Sequence, residues 1–159
     1  KFNSLIVPGG SFQLINDRAK AMNALENFRN HLNKDGLLVM SFFNPFYEIS
    51  HESLDGVWRL EKDKEINEKG SRALCHTCMD LDRCEQIMKV SHRYELLDDN
   101  GVVEKSEIKT SMIRWYGKYE IELLLQKAGF SDVKIYGDFQ DLEYEDGNMS
   151  MGVTAVVPE

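Results

Sequence analysis

A glycine-rich loop near the start of the chain is the first candidate for ligand chemistry. The apolar run Leu5–Val7 breaks at the segment Pro8–Ser11, which contains Gly9 and Gly10, and Phe12 follows. Open α/β sheets bind ligands at the carboxyl ends of their strands, where glycines let the backbone approach a ligand. The spacing matches neither the G-x-G-x-x-G fingerprint nor a P-loop, because no Gly-Lys-Ser/Thr follows. The loop is either a ligand-contacting loop of another kind or a strand-to-helix turn in which glycine supplies a positive φ.

Polar and aromatic side chains follow the next apolar run, residues 37–43. Asn44 comes directly after it, and Tyr47, His51 and Trp58 come next along the chain. Asn44 either forms a hydrogen bond with a substrate or caps the turn. The three aromatic side chains either line a substrate pocket or pack against the rest of the protein. His51 is also a candidate general base, because histidine exchanges protons near neutral pH.

A second group of candidates stands near residue 115. Arg114 offers a guanidinium that can hold a substrate carboxylate or carbonyl. Tyr116 is both a candidate substrate contact and, with His51, a candidate base. The alternative is structural: Arg114 pairs with an acidic neighbour, and Tyr116 covers the start of a helix.

The cysteines raise the question of a metal site. A C-x-x-C motif joins Cys75 and Cys78, and Cys84 and His92 follow. Such a set can form a tetrahedral zinc site. The stretch is typical of a strand, however, in which residues 75 and 78 point to opposite faces. We therefore expect no metal and interpret the thiols as small hydrophobic side chains.

Composition bounds the class of protein. The chain has 159 residues, 42% of them hydrophobic, with a net charge of -8 and a pI near 5.1. These values are typical of one globular domain and argue against a nucleic-acid partner, which requires a basic face. No apolar stretch approaches the length of a membrane span. Three cysteines without a regular framework indicate a reducing, cytoplasmic setting. Because a core strand follows Lys1 almost at once, we expect a preceding segment to be missing.

The first 46 residues have the pattern of a strand, a helix and a parallel strand. Leu5–Val7 is a continuous apolar run, which is typical of a strand buried on both faces. Apolar residues then recur at helical spacing after a cap at Asn16 or Asp17. The segment Asn33–Gly36 predicts the helix end, and residues 37–43 the second strand. Such a unit forms a right-handed crossover in a parallel sheet.

Residues 47–113 have a different pattern, with polar and apolar residues alternating between turn signals. Two signals are Glu68–Gly70 and Asp98–Gly101, the latter ending in the Asn-Gly of a tight hairpin. The pattern predicts an inserted antiparallel β-meander with strands at 57–66, 71–80, 86–97 and 102–113. Residues 114–159 then predict a helix and two strands that return to the first sheet.

Three segments resemble parts of a known family. They are FNSLIVPGGSFQLI with the following ALENFRNHLNKDG and LLVMSFFNP, then IRWYGKYEIELLLQKAGFSDVKIYGDF, and finally MSMGVTAVVPE. Their order resembles the carboxyl-terminal half of a class I S-adenosylmethionine-dependent methyltransferase of the small-molecule type. The resemblance implies a partial Rossmann-like α/β sheet in the family order 4-5-7-6, with the segment 47–113 as substrate cover.

The resemblance also implies ligands and their contacts. The cofactor would be S-adenosylmethionine, held by Pro8, Gly9, Gly10, Ser11 and Phe12. A small-molecule N, O or S acceptor would contact Asn44, Tyr47, Trp58, Arg114 and Tyr116. The family's glycine-rich loop after its first strand and the acidic residue after its second are not in this sequence. The chain is therefore expected to be inactive alone, with its missing half or a second chain at the exposed sheet edge. The alternative is a non-catalytic α/β module that binds a partner through that edge.

Overall fold

The computed structural model describes residues 1–51, 54–66, 70–138 and 140–159. It confirms the prediction of a mixed α/β fold with two sheets. The chain divides into two compact units. The first consists of Lys1–Phe46 and Arg114–Glu159, and the second of Tyr47–Ile113.

The first unit contains a four-stranded sheet and its helices. The helical segments are a 3-10 helix (Ser11–Leu14), α1 (Arg18–His31) and α3 (Lys118–Lys127). Its strands are β1 (Phe2–Val7), β2 (Leu32–Phe43), β7 (Ser131–Gly137) and β8 (Ser150–Val156). A short helix, α2 (Phe46–Ser50), lies where the chain leaves this unit.

The strand order of this sheet is β1-β2-β8-β7. β1 pairs with β2 in parallel, with Val7 opposite Met40, so the carboxyl ends of the two strands lie at the same end of the sheet. β8 is antiparallel to both of its neighbours, β2 and β7. The loops after β1 and β2 are therefore neighbours, which places the segment Pro8–Ser11 and Asn44 at the same end of the sheet.

The core lies between one face of this sheet and the two longer helices. Alternate residues of β2 and β8 point into it, including Leu38, Met40 and Val153, each at most 2% exposed. α1 contributes Leu25, and α3 contributes Leu125, both fully buried. The opposite face is open to solvent: Ile6 on the β1 edge strand is 67% exposed.

The predicted boundary between the first helix and the second strand is wrong. α1 ends at His31, and β2 already begins at Leu32, which pairs with Phe2. The positive φ in the connecting segment belongs to Asp35, at 58°, and not to the predicted glycine stop at Gly36. A register shift between Phe2 and Ser4 accommodates the extra residues of β2. The predicted cap at Asp17 is confirmed, because its side chain accepts a hydrogen bond from Lys20 N over 2.8 Å.

The second unit is a four-stranded antiparallel sheet in the order β3-β4-β5-β6. Its strands are β3 (Arg59–Glu65), β4 (Arg72–Asp82), β5 (Ile87–Leu97) and β6 (Val103–Arg114). The hairpin at Asp98–Gly101 forms as predicted, with Asp98 N donating to Val102 O over 2.9 Å. The predicted turn at Glu68–Gly70 lies, in its first two residues, outside the described residues.

None of the helices that the structure describes is long and apolar enough to cross a lipid bilayer.

Two leucines of α3 test how the core is built. Leu125 is fully buried, whereas Leu123, two positions earlier, is 63% exposed. Leu125→Ala should lower the free energy of unfolding by about 2–5 kcal/mol, because it leaves a cavity in the core. Leu123→Ala is the matched control and should change it by less than about 0.5 kcal/mol. Urea denaturation followed by circular dichroism measures both values, and equal effects would contradict the assignment of the buried face.

Candidate functional site

The segment Pro8–Ser11 forms a tight turn at the carboxyl end of β1. Ser11 N donates to Pro8 O over 3.1 Å, and the two central residues, Gly9 and Gly10, have φ values of 62° and 68°. Two consecutive positive φ values define a turn that glycine adopts without steric cost. The glycine pair thus allows β1 to pass through a tight turn directly into the 3-10 helix. The turn leaves Gly9 exposed, with nothing within 4 Å of the position its Cβ would take.

The Gln13 side chain fixes this turn to its surroundings. Its Nε2 donates to Phe43 O over 2.9 Å and to Arg114 O over 3.1 Å, while its Oε1 accepts from Phe43 N over 2.6 Å. The side chain is 1% exposed, so each of these bonds replaces water that the carboxamide has lost. A Cβ at Gly10 would stand 2.8 Å from Gln13 Oε1, which explains why a glycine precedes this contact.

Phe12 lies in an aromatic cluster below the turn. Its ring centroid is 5.5 Å from that of Tyr116, 6.0 Å from that of Phe42 and 6.5 Å from that of Phe28. Phe12 is only 1% exposed. A ligand at this loop would therefore meet the backbone of the turn and not the Phe12 ring, because the ring faces the core.

Asn44 lies at the carboxyl end of β2, beside the turn. Its backbone N donates to Met149 O over 3.2 Å, and its side-chain Nδ2 donates to Tyr144 Oη over 2.7 Å. Burial raises the pKa of Tyr144, so this phenol stays protonated at neutral pH. Asn44 is 5% exposed, and its amide thus links two segments of the first unit.

Arg114 uses its guanidinium within the protein. Both Nε and Nη2 donate to Asn16 O, over 3.0 and 2.8 Å, and the side chain is buried. These bonds hold the segment before α1 against Arg114. These contacts give Arg114 a structural role, and its contact with a substrate stays a prediction.

Tyr116 is buried in the same aromatic cluster, at 3% exposure. Burial raises the pKa of Tyr116 from its ordinary value near 10 to about 12, and the nearby Arg114 charge offsets only part of this effect. A phenol with this pKa stays protonated at neutral pH and is a poor general base. It can still donate a hydrogen bond.

Two buried polar atoms around Arg114 have no hydrogen-bond partner among the described residues. They are Tyr116 Oη and Asn16 Oδ1. Buried polar atoms are almost always paired, so each unpaired one calls for an explanation. Both atoms can take part in a hydrogen bond that no described residue supplies.

Tyr47 and His51 form a pair in the second unit. Their rings stack with centroids 4.2 Å apart, and His51 Nδ1 is 2.7 Å from Tyr47 O. A carbonyl oxygen only accepts, so the histidine tautomer protonated at Nδ1 fits this contact and leaves the lone pair on Nε2. His51 is exposed.

Trp58 also lies in the second unit, with 38% of its surface exposed. The guanidinium carbon of Arg93 stands 5.1 Å from its ring centroid, which is a cation–π contact. Of the residues predicted to contact ligands, the structure brings together those of the first unit, and it pairs Tyr47 with His51.

An apolar groove of about 450 Å³ runs along the open face of the first sheet. It is lined by Ile6 and Pro8 from the β1 side, by Val39 and Ser41 from β2, and by Thr154 from β8. Ser41 also lies within reach of the turn, because Gly10 N donates to its Oγ over 3.4 Å. The groove therefore continues from the turn onto the sheet.

This fold is shared with S-adenosylmethionine-dependent methyltransferases. One match is an S-adenosylmethionine-dependent methyltransferase from Clostridium acetobutylicum, with a TM-score of 0.78 and 14% sequence identity. The match covers 100% of this chain and 59% of the methyltransferase chain. No protein-family model matches the sequence, and no curated protein matches it significantly. The likeness shows the fold.

Two further matches are methyltransferases whose names state their substrates. The amino pentose methyltransferase CalS10 from Micromonospora echinaspora has a TM-score of 0.67 at 13% identity, covering 99% of this chain and 58% of its own. The sugar N-methyltransferase KedS8 from Streptoalloteichus sp. has a TM-score of 0.66 at 16% identity, covering 99% and 57%. The chain thus spans less than two thirds of these structures.

Gln13 is the site residue that sequence reasoning missed. It stands between the apolar residues Phe12 and Leu14, and a polar side chain flanked in this way after a glycine turn is the signal that could have identified it. Asn16 was considered only as a helix cap, a role that Asp17 performs instead.

The glycine pair provides a test of the turn. Gly9→Ala should cost about 1–2 kcal/mol of stability, because alanine is strained at positive φ. Gly10→Ala should cost about 1 kcal/mol more, because its Cβ would displace the Gln13 carboxamide from its buried hydrogen bonds. Thermal and urea unfolding of the two variants give the comparison. A Gly10→Ala cost no larger than that of Gly9→Ala would contradict the role of Gln13.

Tyr116 provides a pH test. Its folded-state pKa lies above the unfolded value, so the stability gained by burying the neutral phenol is complete below pH 10 and is lost as pH rises towards 12. Between pH 10 and 12, the free energy of unfolding of Tyr116→Phe should therefore fall less steeply than that of the parent chain. At pH 7 it should be as stable or slightly more stable, because it removes an unpaired hydroxyl. Identical pH profiles from 10 to 12 would refute the assigned burial effect.

Proposed function

We propose that this chain is the carboxyl-terminal part of an S-adenosylmethionine-dependent methyltransferase that acts on a small molecule. The observation that carries the proposal is the turn Pro8–Ser11 beside Asn44, at the carboxyl ends of two parallel strands. Ligands of open α/β sheets bind at this end. The fold shared with methyltransferases along the whole chain supports the same assignment.

The strand order supports the assignment to the family's second half. The observed order β1-β2-β8-β7, with β8 antiparallel between its neighbours, fits the family order 4-5-7-6. In this proposal α1 and α3 are the helices of that half, and the segment 47–113 is an insertion that serves as substrate cover.

The residues present fit one end of the cofactor. The exposed Gly9 lets a ligand approach the backbone, and the unpaired Tyr116 Oη and Asn16 Oδ1 offer hydrogen bonds. The glycine-rich loop and acidic residue that would hold the rest of the cofactor are not in this sequence. The chain therefore supplies part of a cofactor site.

When bound, S-adenosylmethionine supplies an activated methyl group to an N, O or S atom of the acceptor. The chain's own contribution is positioning, because most of the rate gain in such a displacement comes from alignment. Tyr116 acts as a hydrogen-bond donor in this proposal. His51 is the candidate base, since its Nε2 lone pair is free to take the proton that the acceptor loses.

The exposed edge and open face of the first unit are consistent with an amino-terminal segment that covers them in the longer protein. β1 is an edge strand in the described sheet, with Phe2 62% and Ile6 67% exposed, and an apolar groove lies on the same face. Exposed apolar edge strands are aggregation-prone unless they are covered. The amino-terminal half of the enzyme would pair with β1 and cover this face.

One alternative accounts for the same edge. A non-catalytic module could bind a partner protein through β1, and the exposed Phe2 and Ile6 favour this use. The two functions differ in their need for S-adenosylmethionine, so cofactor binding separates them.

Calorimetric titration with S-adenosylmethionine tests the proposal. We expect weak or no binding by the 159-residue chain alone and one-to-one binding by the protein that includes the upstream segment. That segment should contain a strand ending in a G-x-G-type loop and an acidic residue about 20 positions later.

A matched pair of variants locates the site in the longer protein. Tyr116→Phe should weaken cofactor or substrate binding by about tenfold, the cost of one lost hydrogen bond in a buried site. Tyr119→Phe is the control, because Tyr119 is 70% exposed on α3. Failure of the longer protein to bind S-adenosylmethionine would overturn the proposal in favour of the binding module.

A further inference from the structure

Three potential metal ligands converge on one face of the second sheet. They are Glu61 on β3, Cys75 on β4 and His92 on β5, and one ligand atom from each lies within 4.8 Å of the other two. Cys75 Sγ is 4.0 Å from His92 Nδ1, and His92 Nδ1 is 3.9 Å from Glu61 Oε2. The residues lie on adjacent strands and are far apart in sequence, so only strand pairing brings them together.

The register explains how the face is assembled. Thr77 pairs with His92 and Cys75 with Tyr94, so Cys75, Thr77 and His92 share one face of the β4–β5 pair. Cys78 belongs to the opposite face of β4. The converging set is therefore different from the C-x-x-C motif in the sequence.

A β-bulge brings the third ligand to this face. The register between β3 and β4 shifts between Leu60 and Lys62, which leaves Glu61 as the extra residue. Bulges redirect side chains and are frequent next to functional sites. Here the redirected Glu61 carboxylate accepts a hydrogen bond from the Thr77 hydroxyl.

We propose that Glu61, Cys75 and His92 bind a divalent zinc ion, with the Thr77 hydroxyl positioning the Glu61 carboxylate. A thiolate, an imidazole and a carboxylate form a donor set that suits Zn²⁺. Tetrahedral Zn²⁺ with ordinary bond lengths places S and N about 3.6 Å apart and N and O about 3.4 Å apart. The S···N separation of 4.0 Å and the N···O separation of 3.9 Å need to contract by about half an ångström, a shift within the reach of side-chain rotation.

The surroundings suit a partly open site. Cys75 is 8% exposed, whereas the side chains of His92 and Glu61 are 33% and 47% exposed. The ion would thus be anchored at a buried thiolate and reachable from the carboxylate side. Three protein ligands leave a fourth position for water or for a donor atom of a ligand.

Thr77 is the positioning group of this site. Its Oγ1 lies 3.0 Å from His92 Nδ1 and donates to Glu61. Zn²⁺ would take the Nδ1 lone pair, in the tautomer protonated at Nε2, and the Thr77 hydroxyl would keep its bond to the carboxylate. Such outer contacts orient ligands and strongly affect affinity.

Cobalt titration of the reduced 159-residue chain tests the proposal without any cofactor. Co²⁺ should bind one-to-one and give the near-ultraviolet thiolate charge-transfer band and intense visible bands of a tetrahedral site, and Zn²⁺ should displace it. Cys75→Ser should abolish the charge-transfer band. His92→Ala should weaken Zn²⁺ binding at least tenfold, and Thr77→Val by about 10–100-fold.

The matched controls use one other thiol and one other histidine of the second unit. Cys84→Ser removes an exposed thiol, and His76→Gln removes a histidine that instead lies 3.2 Å from Glu95. Both should leave the cobalt spectrum unchanged. A spectrum without the charge-transfer band, or one that survives Cys75→Ser, would show that the cluster is only a hydrogen-bonded polar group and would overturn the proposal. Because S-adenosylmethionine is not used, this result is independent of the methyltransferase assignment.

Discussion

The arrangement of the first unit depends on one buried carboxamide. Gln13 bonds to both the N–H and the C=O of Phe43 and to the carbonyl of Arg114, so it joins the loop after β1 to the end of β2 and to the end of β6. A buried amide that lost these partners would cost about 1–3 kcal/mol for each unpaired group. This network allows the glycine turn to be tight and yet fixed. Asn44, Arg114 and Tyr116, three of the candidate ligand contacts, lie within two residues of the backbone atoms that Gln13 bonds.

The polar groups near this network differ in how they are satisfied. Arg114 donates to Asn16 O, and Asn44 Nδ2 donates to Tyr144 Oη, so these donors already have partners within the chain. Tyr116 Oη and Asn16 Oδ1 remain unpaired within the described residues. Arg114 and Asn44, two of the predicted substrate contacts, thus also stabilise the first unit. The atoms with unused bonding capacity lie beside them.

The two sheets impose different constraints on function. The first sheet has helices on one face, whereas its other face and the β1 edge are exposed. The second sheet is antiparallel, and its bulge at Glu61 directs a carboxylate toward a thiol and an imidazole. The proposed zinc ligands of the second unit are therefore brought together by cross-strand register. The candidate ligand contacts of the first unit lie instead in loops at the ends of parallel strands.

The sequence by itself determined the local features. The apolar runs identified the strands, Asp17 the start of α1, and the segment Asp98–Gly101 the hairpin, because each depends on residues adjacent in the chain. It misplaced the start of β2, since the pairing of Leu32 with Phe2 is a contact between residues distant in the chain. Only the tertiary structure decided that Arg114 donates hydrogen bonds to the backbone carbonyl of Asn16, 98 positions away in the chain. It also decided that Cys75 meets His92 and Glu61, because strand register and a bulge set which side chains share a face.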